Sequence, residues 1–217
     1  MTPTFRQNFK NLIPQILLAT RLKQGANNSN SLLLTFDDGP DPAVTPKVLS
    51  LLKEYDARAV FFIVGRRIEK SPHLLSTIKK EGHELGNHTY IHLNQGEPGF
   101  LEYWRDIRQC QNLIQHHCGY RPKLFRAPSG HISPTSLMVS HLAGLRPVNW
   151  SVGVKDWKCR SKTDAQKAAI KIIKNAKFRD IILLHDDNPY VVDILKIVLP
   201  YFQAKGFDLT SGYDYLI

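Results

Sequence analysis

Cysteine is scarce in this 217-residue chain: Cys110, Cys118 and Cys159 are an odd number and form no C-x-x-C pair. That argues against a disulfide framework and against the common thiolate zinc sites, and it makes a reduced, cytoplasmic setting the simpler expectation. Long apolar runs are missing too. Nothing approaches the roughly 20 residues that span a bilayer. The apolar stretch Leu12–Thr20 is broken by Pro14 and Gln15 and is followed by no A-x-A-like site, so no signal peptide is expected. Acids are in short supply as well: 19 Asp and Glu face 29 Lys and Arg, a net charge of +10. A basic balance favours anionic partners such as phosphate-linked glycans, acidic lipids or nucleic acid. Nucleic acid drops out, because the basic residues gather with no exposed aromatics into a recognition motif. With 42% hydrophobic and 22% charged residues, the composition is that of an ordinary globular domain.

What is present alternates between strand and helix signals. Leu32–Phe36 and Ala59–Val64 are short apolar runs suited to buried strands, as are Lys123–Arg126, Pro147–Val152 and Ile181–Leu184. Between them, Thr45-Pro46, Pro72, Ser133-Pro134 and Asn188-Pro189 open helices, and Thr163 or Asp164 is expected to cap another. Gly82, Gly119 and Gly206 close helices. Lys167, Lys171, Lys174 and Lys177 recur opposite Ala168, Ala169, Ile172, Ile173 and Ala176, the pattern of a solvated helix face. Repeated βα units with apolar strands predict an α/β fold with a mainly parallel sheet. About seven strands favour a single distorted (β/α) barrel, whose chemistry would sit at the C-terminal ends of the strands.

The motifs fall at those ends. Leu32–Phe36 runs into Asp37-Asp38-Gly39-Pro40, and adjacent carboxylates in a cleft need a cation or other partners to stay ionised. His88 and His92 stand four apart, so a helical turn would aim both rings at one ion. With a strand-end carboxylate they suggest a His-His-Asp site with open positions, able to polarise a carbonyl and lower the pKa of bound water.

Residues 34–40 (LTFDDGP) with 82–92 (GHELGNHTYIH) resemble the polysaccharide deacetylase family, also called the NodB-homology domain or carbohydrate esterase family 4. Arg126-Ala127-Pro128-Ser129-Gly130, Asp156-Trp157 and Leu183-Leu184-His185 extend the resemblance in order, over roughly residues 31–210. It implies a metal-dependent hydrolase that removes an N-acetyl group from an amino-sugar-containing glycan or glycolipid by attack of a metal-bound water. Asp38, His88 and His92 would hold the divalent ion, usually zinc, with cobalt or another divalent ion as alternatives. Asp37 would be the general base and Arg126 its ion-pair partner. His185 would be the general acid and Asp156 its carboxylate. Trp157 and Leu183 would line the acetyl pocket, and the backbone N–H of Ser129 would help stabilise the oxyanion. An O-acetyl esterase or a deformylase of a lipid-linked sugar, on the same scaffold, is the runner-up. A non-catalytic glycan-binding domain is the rival class, and it would need neither base nor acid. The chain departs from the family pattern at Gly153, where a second acid is common, and at Ser129, where an aromatic is common, with His131 an unusual neighbour.

His83 and Asn87 read as residues bracing the metal loop, and Trp104 and Trp150 read as core. Residues 1–30 form a basic, partly apolar segment and linker ahead of the domain at 31–217. That segment is expected either to pack across the open end of the barrel or to make peripheral contact with an anionic membrane.

Overall fold

The computed structural model describes residues 18–23, 30–92 and 99–216. Seven parallel strands curl into a half-barrel wrapped by helices. They are β1 (Leu33–Asp37), β2 (Ala59–Ile63), β3 (Glu84–Asn87), β4 (Leu124–Phe125), β5 (Arg146–Pro147), β6 (Val152–Gly153) and β7 (Ile181–His185). Their order is β5-β4-β3-β2-β1-β7-β6, with every neighbouring pair parallel. Strands β1, β2 and β7 are buried along their whole length, which is why they read as unbroken apolar runs.

Side chains alternate across the sheet. Leu34, Phe36, Phe61, Ile63, Ile182 and Leu184 face the helices in the largest core cluster. Leu33, Val60, Phe62, Leu124 and Ile181 fill the barrel interior. The same alternation puts Asp37, two residues beyond Thr35, and His185, its register partner on β7, on the interior side at the C-terminal mouth.

The helices are α1 (Thr45–Glu54), α2 (Gly65–Ile68), α3 (His73–Lys80), α4 (Phe100–Cys118), α5 (Pro134–Leu142), α6 (Lys162–Asn175) and α7 (Val191–Ala204). Gly119, at φ 69°, ends α4 as its position predicts. Ser133 and Ser136 form a reciprocal capping box at α5. Three helix starts differ from the sequence expectation, one of them that of α7, which begins at Val191 after a turn in which Asn188 Oδ1 accepts the Tyr190 N–H. Val44 precedes α1, because the Thr45 hydroxyl accepts the Asp41 N–H and donates to Asp186. Ser161 caps α6 by accepting the Asp164 N–H, while the Asp164 carboxylate reaches back to the Arg160 N–H. The buried stripe of α6 is Ala165, Ala168, Ala169 and Ile172, with its lysines outward, as the spacing predicted.

The run 147–152 is not one strand. It splits into β5 and β6 at opposite edges of the sheet, with no helix between them. Pro147 cannot donate to a ladder, and the carbonyls of Val148 and Asn149 are taken by the Arg126 guanidinium. The gap so left is bridged by residues 18–23: Ala19 pairs with Val148, and Arg21 pairs with Asp180 just before β7. Ala19 and Leu22 are buried in the interior cluster. This much of the N-terminal segment packs against the barrel. The expectations for residues 1–17 and 24–29 lie outside the described residues. No helix among the described residues is long and apolar enough to cross a membrane.

Candidate active site

At the middle of the mouth is a completely buried arginine. The Arg126 Nη1 donates to Thr35 Oγ1 at 2.8 Å and to Asp37 Oδ1 at 2.7 Å. Its Nε and Nη2 donate to the carbonyls of Val148 and Asn149, and its guanidinium carbon stands 4.1 Å from the Phe62 ring centroid. A buried charge is tolerable only when paired and hydrogen-bonded, and each nitrogen of this guanidinium has an acceptor. Burial alone would raise the Asp37 pKa. The charge and hydrogen bond of Arg126, with His88 and His185 nearby, outweigh it and hold the carboxyl below its ordinary value.

Beside this pair, Asp38, His88 and His92 bring one ligand atom each to within 4.8 Å of one another. Asp38 Oδ1 is 3.6 Å from His88 Nε2 and 3.2 Å from His92 Nε2, and Asp37 Oδ2 is 3.7 Å from His88 Nε2. His88 Nδ1 lies 2.7 Å from the Arg126 carbonyl, an acceptor only, so Nδ1 carries the proton and Nε2 presents a lone pair to the cluster. Two imidazoles and a carboxylate with this orientation suit a borderline divalent ion such as zinc or cobalt.

The two histidines do not reach this geometry on a helical turn, as their spacing suggested. They flank a loop with Thr89 at φ 67° and His92 at φ 56°. Side chains satisfy its backbone in place of helical carbonyls. Asn87 Oδ1 accepts the Thr89 N–H, Asp106 accepts those of Tyr90 and Ile91, and Thr89 Oγ1 accepts that of His92. Asn87 thus braces the loop as expected. His83 does not: it precedes the parallel strand β3, about 16 Å of extended chain from His88. There its Nδ1 accepts the Ala59 N–H, and burial, then Arg58 and Lys79, push its pKa down to about 4.

Across the mouth, His185 Nδ1 is 2.9 Å from Asp156 Oδ1, and Asp156 Oδ2 accepts the His185 backbone N–H at 2.7 Å. Burial would depress the imidazole pKa, but Asp156, followed by Asp37 and Asp38, raises it to about 9. Trp157, 40% exposed, stands 4.8 Å from the His185 ring, and Leu183 lies buried two residues before it on the interior face. Ser129 occupies the turn after β4 in a left-handed conformation, φ 55°. A Cβ at the next residue, Gly130, would meet the Trp150 ring at 2.4 Å, so that turn is shaped by the indole. Trp150 and Trp104 pack against core clusters, as read from the sequence.

Two acids escaped the sequence reading. Asp106 sits on the buried stripe of α4 among Tyr103, Ile107 and Cys110, and an acid on an apolar face was the available signal. Asp186 is wholly buried, accepts from Thr45, and lies where a Cβ on Gly39 would strike its carboxylate at 2.3 Å. Burial raises its pKa to about 7. No spacing marks it, since it merely follows His185.

A family model described as polysaccharide deacetylase matches residues 24–148. The chain is 37% identical over 195 residues to the peptidoglycan-N-acetylglucosamine deacetylase of Bacillus cereus, covering 88% of this chain and 90% of that one. It is 36% identical over 206 residues to the chitooligosaccharide deacetylase of Azorhizobium caulinodans, with 88% and 95% covered. The solved structure of peptidoglycan deacetylase PdaC from Bacillus subtilis superposes with a TM-score of 0.78 at 30% identity, over 87% of this chain and 92% of that one.

Proposed function

Because this chain belongs to the polysaccharide deacetylase family, we propose that it removes the N-acetyl group from an amino sugar within a glycan, with the help of a divalent ion. The observation that carries this reading is the pairing of opposite proton affinities around one ligand cluster. Arg126 keeps Asp37 an ionised base, Asp156 keeps His185 a protonated acid, and Asp38, His88 and His92 converge between them. Amide hydrolysis needs both a proton acceptor for water and a proton donor for the departing nitrogen.

Asp38, His88 and His92 would hold the ion, zinc or cobalt by their chemistry, and it would polarise the acyl carbonyl and acidify water. The protein's own groups do the rest. Asp37 accepts the proton of the attacking water, its second oxygen anchored on Arg126. The Ser129 N–H steadies negative charge on the acyl oxygen. Trp157 and Leu183 enclose the acetyl methyl, and their apolar surface keeps bulk water from His185. The His185 imidazolium then protonates the amine nitrogen as the carbon–nitrogen bond breaks, while Asp156 holds its ring in register. The relatives' substrates support an N-acetylglucosamine-containing glycan as the target.

Asp37→Asn and His185→Ala are each expected to lower turnover on N-acetylglucosamine oligomers by about 10²-fold or more with metal content intact. A metal-replete assay of released acetate measures this; near-wild-type turnover in either variant would remove that residue from the mechanism. The pH profile follows from the same pairs. His185 donates only while protonated, so activity should hold up to about pH 9 and fall above it. Asp156→Asn removes the charge that opposes burial, so the alkaline limb of kcat/KM should move to lower pH. An unmoved limb would separate Asp156 from the acid.

A further inference from the structure

The positive charge of this protein is not spread evenly. Residues 155–180 hold nine lysines and arginines against three aspartates, a net of +6 within a chain of +10. All three acids are engaged within the fold. Asp156 is bonded to His185, Asp180 is buried against Arg21, and Asp164 is folded back on the start of α6. Eight of the cations are exposed: Lys155, Lys158, Arg160, Lys162, Lys167, Lys171, Lys174 and Lys177. None of them forms an ion pair among the described residues, although ion pairs occur elsewhere on the surface. Solvated helices usually intersperse signs, and like charges three and four apart destabilise a helix. α6 keeps Lys167, Lys171 and Lys174 at that spacing on one face. The neighbouring α7 adds exposed Lys196, with Lys205 just past its end, against one half-buried acid, Asp193.

The cations form a strip with a direction. It begins at the mouth, where Lys155 and Lys158 bracket Trp157, whose ring stands beside His185. It then follows the 14 residues of α6, about 21 Å at 1.5 Å per residue, down the side of the barrel. A narrow line of charge that starts at the site fits an extended anionic chain. A bilayer would engage a plane, and apart from Trp157, whose ring stands beside His185 at the mouth, the exposed large apolar side chains of the strip are Ile170 and Phe178. We propose that this strip is a docking track for a glycan polymer that carries carboxylates along its length, holding the chain while a sugar near one end lies in the site. The inference rests on the glycan deacetylase reading for its substrate, but the binding it claims is separable from turnover.

The test uses the full-length protein and two soluble polymers of one backbone, anionic carboxymethyl chitin and neutral glycol chitin. Affinity is measured by retardation in native gels, and kinetics by acetate release. The wild type should bind carboxymethyl chitin at least tenfold more tightly than glycol chitin, and screening should erase the preference at about 1 M salt, where the Debye length falls to roughly 3 Å. K167E/K171E/K174E should lose at least tenfold in affinity for the anionic polymer alone and show a correspondingly higher KM for it, with kcat on short oligomers unchanged. If the triple reversal does not fold, K167Q/K171Q/K174Q should show a smaller loss of the same kind. Equal wild-type binding of the two polymers, or unchanged binding by a folded variant, overturns the proposal. So does tighter, strip-dependent retention on phosphatidylglycerol vesicles, which would make this a membrane face. If no glycan is hydrolysed yet the charge-dependent binding stands, the functional reading fails and the track survives.

Discussion

Stripping divalent ions with a chelator should abolish turnover, and adding back zinc or cobalt should restore it. The expectation follows from the donor set. Asp38, His88 and His92 place three ligand atoms within 4.8 Å of one another, and the Arg126 carbonyl fixes His88 Nε2 as a lone-pair donor. His88→Ala is the sharper experiment. It removes one of three ligands and one hydrogen bond to a buried carbonyl, a stability cost of about 1–3 kcal/mol that a domain of this size should survive. The variant should therefore keep its circular dichroism spectrum, lose stoichiometric metal by elemental analysis, and show turnover at the level of the chelated wild type. Full activity in a verified metal-free preparation would end the metal reading. A folded His88→Ala protein that still holds one equivalent of ion would remove that histidine from the site.

Replacing Arg126 with methionine should cost about 3–5 kcal/mol of stability near neutral pH, because it strands a buried carboxylate. It should also cost activity well beyond what the lost stability explains. Asp37 is buried, and its low pKa depends on the charge of Arg126 overcoming that burial. Remove that charge and burial wins, so the carboxyl takes up a proton and stops being a base. The sign of the pH dependence is a second check. A group whose folded pKa is depressed contributes stability above its unfolded pKa and loses it as pH falls through the carboxylate range. The gap between wild type and Arg126→Met should thus be widest near neutrality and narrow toward acid, where both carry a protonated Asp37. Urea denaturation at several pH values measures it. A pH-independent difference under about 1 kcal/mol would mean that the ion pair is energetically idle.

Not all of the architecture was legible from residue patterns. β1, β2 and β7 announce themselves because a parallel strand buried on both faces must be apolar throughout. β3 does not, because its interior positions carry Glu84 and Gly86 and lead to His88. There the barrel exchanges apolar filling for chemistry and close packing, since a Cβ at Gly86 would strike the Phe62 ring at 2.4 Å. The apolar run 147–152 misled for the opposite reason. Its composition is strand-like, but its carbonyls answer to Arg126, a residue more than 20 positions away.

The sequence by itself determined which side chains could do chemistry and at which end of the strands they would lie. Asp37-Asp38 must follow β1 and His185 must end β7, because the apolar runs that form those strands stop there. It could not say how they meet. Local spacing proposed a helical turn for His88 and His92, and it set His83 beside them. Tertiary structure instead holds the pair on a loop propped by Asp106 from α4, and it leaves His83 at the far end of a parallel strand. Pairing Asp37 with Arg126 and His185 with Asp156 spans 89 and 29 positions, so the family resemblance anticipated both pairs where local spacing could not. The physical reason is the same in each case. The groups that set a side chain's tautomer, charge or backbone angle are those that share its desolvated volume, and only the folded barrel decides which residues those are.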